Sequence, residues 1–61
     1  MDRYVVRWFA SAMIYEPVLR EEIYEAASEE DAIAYAILRV PDVPGAAVSG
    51  ITVNKAWKPG E

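Results

Sequence analysis

The chain of 61 residues contains no cysteine and no histidine, and each absence closes a class of explanation. Without cysteine there is no disulfide, and with histidine also missing the commonest ligands of zinc and iron centres are gone. Histidine is also the usual general base beside a nucleophilic serine, so Ser11, Ser28 and Ser49 have no such partner. Glycine is scarce, with three residues, and no glycine-rich phosphate cradle is spelled: the stretch from Pro44 to Gly50 has two glycines and no lysine beside them. Acidic residues outnumber basic ones ten to six, for a net charge of −4, the wrong sign for a surface that tracks nucleic-acid phosphates. No apolar run approaches the roughly 20 residues of a bilayer span. Met1-Asp2-Arg3 leads directly into a strand-like run rather than into a secretory leader. A soluble, cytoplasmic protein with no cofactor, no metal and no membrane partner is expected.

What the chain has in excess is apolar side chains. Its hydrophobic fraction is 54%, against an ordinary range of about 45–50%. A domain this short buries only about 60% of the surface its unfolded chain exposes. Apolar burial set against roughly 1.5 kcal/mol of ordering entropy per residue then sums to near zero. With disulfides and metals excluded as staples, oligomerisation or a bound partner is the remaining source of stability.

Taken in order, Arg3 to Ile14 is rich in aromatic and β-branched residues and free of Gly and Pro, which predicts a long first strand. Pro17 cannot donate to a ladder and marks a turn. Val18 to Ala27 resumes as a second strand, antiparallel to the first. Folding this hairpin about Glu16 pairs Ile14 with Val18, Trp8 with Tyr24 and Val6 with Ala26 on one face. The other face then pairs Met13 with Leu19, Phe9 with Ile23, Arg7 with Glu25 and Val5 with Ala27. Ser28-Glu29-Glu30-Asp31 reads as a helix start, a hydroxyl cap followed by acids where the helix dipole favours them. The helix is predicted from Glu29 to Val40, because the residue before Pro41 is disfavoured in the α region. A loop over Pro41 to Gly45 precedes a third strand within Ala46 to Trp57, clearest from Gly50 onward, where the glycine marks a bulge or the strand's beginning. Residues 58–61 are expected to form a frayed tail.

The expected fold is therefore a single α+β domain of β-β-α-β order. A right-handed crossover places the third strand on the far side of the first, giving a three-stranded antiparallel/mixed sheet of order 2-1-3 with one helix on one face. Ala32, Ile33, Ala36, Ile37 and Val40 form the predicted core stripe of that helix, packed on Trp8, Tyr24, Val6 and Ile51. Two apolar surpluses remain. Val5, Phe9, Met13, Leu19 and Ile23, beside Arg7 and Glu25, occupy the uncovered sheet face, where an antiparallel sheet in water is ordinarily polar. Ala34, Tyr35 and Leu38 lie on the outer side of the helix, which is ordinarily polar too.

Contiguous exposed apolar area marks an interface. Catalysis is not expected, because Glu21 and Glu22 point to opposite faces of a strand and Ser28 is consumed as a cap. The run Tyr-Val-Val-Arg-Trp at 4–8, then Tyr-Glu-Ala-Ala-Ser-Glu-Glu-Asp-Ala-Ile-Ala-Tyr-Ala at 24–36 and a closing strand ending in Trp57, resembles small β-β-α-β proteins of bacteriophages and mobile elements, the DpnD/PcfM-like proteins. That resemblance implies a non-catalytic accessory protein acting in a host cytoplasm and carries no functional site with it. The expected function is a protein-protein interaction module, a homodimer or higher oligomer that can bind and modulate a host protein. One alternative is an acidic mimic, presenting Glu21, Glu25, Glu29, Glu30 and Asp31 to a nucleic-acid-binding protein. The other is weak nucleic-acid binding through Arg3, Arg7, Arg20, Lys55 and Lys58, with Trp8 or Phe9 as a stacking platform.

Overall fold

In the computed structural model, residues 1–12 and 17–56 are described. The β-branched and aromatic run at the start forms β1 (Asp2–Trp8), and the charged stretch after the connection forms β2 (Arg20–Ala26). Helix α1 spans Glu29–Arg39 and β3 spans Ile51–Lys55. The sheet order is β2-β1-β3, with β1 antiparallel to both neighbours, so β2 and β3 run parallel to each other. One face is covered by α1, and the expected α+β architecture is the one observed.

The register differs from the expected one by four residues. Tyr4 stands opposite Tyr24, Val5 opposite Ile23, Val6 opposite Glu22, Arg7 opposite Glu21 and Trp8 opposite Arg20. The expected partners of Trp8, Phe9, Val6, Arg7 and Val5 are therefore replaced, while the pairs placed on Met13 and Ile14 fall outside the described residues. The cause is the length of the connection. β1 leaves the ladder after Trp8, and the loop before β3 captures its end: Phe9 N–H donates to Gly50 O at 2.7 Å, and Ala47 N–H donates to Phe9 O at 3.1 Å. Leu19 N–H also donates to Trp8 O at 2.8 Å, so Leu19 and Arg20 both stand opposite Trp8, as in a bulge. Because the slip is an even number of residues, the paired residues of β1 and β2 stay on their expected faces of the sheet.

Ser28 caps α1 as expected, its Oγ accepting from Asp31 N–H at 3.2 Å. The helix tightens at its other end, where Val40 N–H donates to Ile37 O and a 3₁₀ turn, Val40–Asp42, follows. Gly45 takes φ +87° in the turn behind it, a conformation only glycine adopts without strain.

The core is small. Tyr4, Val6, Trp8, Ala26, Ala32, Ala36 and Val43 are buried among the described residues, and Trp8 and Val6 are the largest side chains with no exposure. Two of the expected core residues are elsewhere: Ile33 and Ile37 are 38% and 44% exposed. The helix is rolled so that Ala32 and Ala36 lie lowest, a rotation of roughly 50° at 100° per residue. Tyr35 moves the other way and is half buried. Its ring stacks on Tyr24 of β2, centroids 3.8 Å apart and planes within 3°. This contact joins the helix to β2 on the side toward which it is rolled.

Candidate functional site

The open sheet face is built from the odd-numbered residues of β1 and β2. Arg3 and Arg7 on β1 meet Glu25 and Glu21 on β2, with Nε to carboxylate distances of 3.4 and 2.7 Å. Between these rows Val5 faces Ile23. On the far side β3 contributes Asn54 beside Val5 and Thr52 beside Arg7. The result is an apolar centre held between two rows of paired charge. Ile23 is 58% exposed there, while Val5, Arg7 and Phe9 are half buried. Leu19 is exposed at the end of β2 and leans toward Gly45, where an added Cβ would lie 3.7 Å from its Cδ1. Met13 lies outside the described residues. Of the five apolar residues expected on this face, the described geometry brings Val5 and Ile23 into one cluster and sets Leu19 apart.

On the helix, Leu38 is 76% exposed, and Ala34 is exposed beside it. Both border a groove of about 320 Å³ against the outer side of β2, where Tyr24, Ala26 and Asp31 also contribute. Tyr35 shares the groove wall but is not a free outer residue. Its hydroxyl donates to Glu22 Oε1 at 2.7 Å, and the Arg39 guanidinium, donating to the same hydroxyl, lies 5.5 Å from the Tyr35 ring centroid. Arg39 Nη2 is 3.4 Å from Glu22 Oε2, and its Nε is 3.3 Å from Asp42 Oδ2. That last approach lacks hydrogen-bond alignment, so the buried Nε–H has no acceptor among the described residues. Arg20 pairs with Glu22 as well. Glu22 thus sits where two arginines and a tyrosine converge, clasping the end of α1 to β2. Sequence reasoning put Glu21 and Glu22 on opposite faces of the strand but missed the link of Glu22 to the helix; the signal was the Tyr35 and Arg39 pair, four residues apart on one helix face.

The hydroxyl of Tyr35 is the main reason the Glu22 carboxyl is held below the usual glutamate range, with Arg20 and Arg39 adding to it against the opposing effect of burial. Burial raises the Tyr35 hydroxyl above its ordinary value, and the Glu22 carboxylate raises it further. A depressed carboxyl stabilises the fold above its unfolded pKa, and that contribution is lost as pH falls through the folded value. A raised phenol stabilises below its unfolded pKa, and the contribution is lost as pH rises through the folded value. Tyr35→Phe is therefore expected to cost about 1 kcal/mol at neutral pH and to shrink the loss of stability seen below about pH 4.3. Urea unfolding at neutral pH and again in acid checks this: the gap between wild type and variant must narrow in acid, and a constant gap would show that the hydroxyl does not act through Glu22.

Glu29, Glu30 and Asp31 make no ion pair among the described residues, as a helix start requires none. Among the described residues no group of three acidic side chains is gathered closely enough to hold a metal ion, and no helix is long and apolar enough to cross a membrane. No protein-family model matches the chain, and no curated protein or solved structure matches it.

Proposed function

We propose that this chain is a non-catalytic protein-binding module that self-associates and, in the accessory role implied by its resemblance, occupies a surface of a host protein. The observation that carries the reading is the exposure of large apolar side chains on opposite sides of one thin domain, Ile23 at 58% on the sheet and Leu38 at 76% on the helix. Each is joined to apolar neighbours, Ile23 to Val5 and Leu38 to Ala34, and joined apolar area of this kind marks an interface. Direct nucleic-acid binding is the weaker reading, because Arg3 and Arg7 are already paired with Glu25 and Glu21 and offer little free charge to phosphates.

Immobilised protein carrying Ile23→Ser and Leu38→Ser, compared with wild type for self-association and for capture of a purified partner, tests the reading. The double variant is expected to bind about tenfold more weakly or worse, and the loss should persist at high salt, where an acidic mimic would already have released its partner. Wild type that neither associates with itself nor binds any protein, or a double variant that binds as well as wild type, removes the reading.

A further inference from the structure

We infer that the open sheet face takes a second copy of this chain, packed face to face about a two-fold axis that runs along the strands between β1 and β2. The inference rests on the binding reading above and names the occupant of one of its surfaces. On that face the two strands present three matched rows: Arg7 with Glu21, Val5 with Ile23, and Arg3 with Glu25. All the cations stand on β1 and all the acids on β2. Turning a second copy over about an axis midway between the two strands lays β1 of one over β2 of the other without changing rows. Arg7 then covers Glu21, Val5 covers Ile23 and Arg3 covers Glu25, and the two-fold repeats each contact. The surface is its own complement, which is what an isologous interface requires.

Two other ways of joining copies meet like charges. Pairing the free edges of β2 about Ile23 sets Glu21 directly against Glu25, which is destabilising across strands. Packing the outer ridges of α1 antiparallel brings Glu29 and Glu30 of one copy against Asp42 of the other. The open face avoids both. Stacked sheets lie about 10 Å apart and close to aligned, so Val5 and Ile23 can fill the centre while the longer Arg and Glu side chains keep their heads at the wet rim. Rim pairs of this kind set orientation and specificity more than affinity. The two overlapping strands present a patch of roughly 14 by 10 Å, well below a standard interface of about 800 Å² per partner. The association therefore belongs to high protein concentrations.

Sedimentation equilibrium from micromolar to millimolar protein tests the inference. Wild type is expected to approach twice the monomer mass. Ile23→Glu should remain a monomer with an unchanged circular dichroism spectrum, and Leu38→Glu should associate like wild type. Arg3→Glu with Arg7→Glu makes the face all acidic, and Glu21→Arg with Glu25→Arg makes it all basic. Each double variant alone should lose association, and an equal mixture of the two should recover it as a heterodimer. Wild type that stays monomeric, Ile23→Glu that dimerises like wild type, or a mixture that fails to associate would each overturn the inference. If a charge variant does not fold, the contrast between Ile23→Glu and Leu38→Glu decides alone. A chain that stays monomeric yet binds another protein through Ile23 or Leu38 refutes the second copy and leaves the binding reading standing; a chain that does neither refutes both.

Discussion

Trp8→Ala is expected to unfold this chain at room temperature. Trp8 has no exposure, lies on the central strand and packs with Val6, Ala36 and Val43 into the larger half of the core. Removing a buried indole costs about 3–5 kcal/mol, through lost burial and the cavity left behind. A single core in a domain of this size rarely supplies more than about 3–5 kcal/mol in total, so one substitution consumes it. Trp8→Phe separates the two contributions of the indole. Its Nε1–H donates to Ala36 O at 2.9 Å, tying the central strand to the last turns of the helix. Phe keeps most of the volume but loses that buried hydrogen bond, at a cost of about 0.5–1.5 kcal/mol. The expected order of stability is wild type, then Trp8→Phe, then an unfolded Trp8→Ala, read from urea denaturation and circular dichroism. A Trp8→Phe chain as stable as wild type would show that the indole holds the helix by packing alone.

That hydrogen bond also marks where reading the sequence succeeds and where it stops. Trp8, Val6, Ala32 and Ala36 were legible as core because the period of two in the strand and the small side chains at helical spacing both point inward. Ser28 and its three following acids were legible as a helix start because the chemistry of a cap is local. The register was not, because it depends on a connection whose length no strand pattern states; Arg7 meets Glu21 rather than Glu25 for that reason. Yet the face of each strand residue survived, since a slip of four preserves alternation, and so Val5 and Ile23 remain on the uncovered side. The roll of the helix was lost for a different reason. Periodicity places Ile33 and Ile37 within the apolar arc and Tyr35 outside it, because hydrophobicity alone favours the isoleucines. The stack on Tyr24 and the hydroxyl on Glu22 go with the observed roll, and both are long-range contacts that periodicity does not carry. Val43, buried behind the 3₁₀ turn, sits among prolines and reads locally as loop.

Gly50→Ala is the second substitution expected to threaten the fold, although glycine at this place reads from sequence as no more than the start of β3 or a bulge. A Cβ there would fall well inside contact of the Phe9 carbonyl oxygen, and 2.9 Å from both Phe9 C and Ser11 O. These are backbone atoms and cannot rotate away. The same place carries the bonds that fasten the loop to the end of β1: Phe9 N–H to Gly50 O at 2.7 Å, Gly50 N–H to Ala47 O at 2.9 Å and Ala47 N–H to Phe9 O at 3.1 Å. A methyl group must push the loop off β1 and take these bonds with it, at about 3 kcal/mol, the upper part of the range for overpacking. Gly45 supplies the control. Its φ of +87° makes alanine unfavourable there, but the nearest atom to an added Cβ is Leu19 Cδ1 at 3.7 Å, an ordinary contact. Gly45→Ala should therefore cost only the left-handed backbone, about 1–2 kcal/mol. Urea midpoints of the two variants should fall in that order, Gly50→Ala well below Gly45→Ala and both below wild type. The reverse order would mean that the loop stands further from β1 than its hydrogen bonds to Phe9 require, and that backbone conformation rather than close approach is what glycine contributes to this fold.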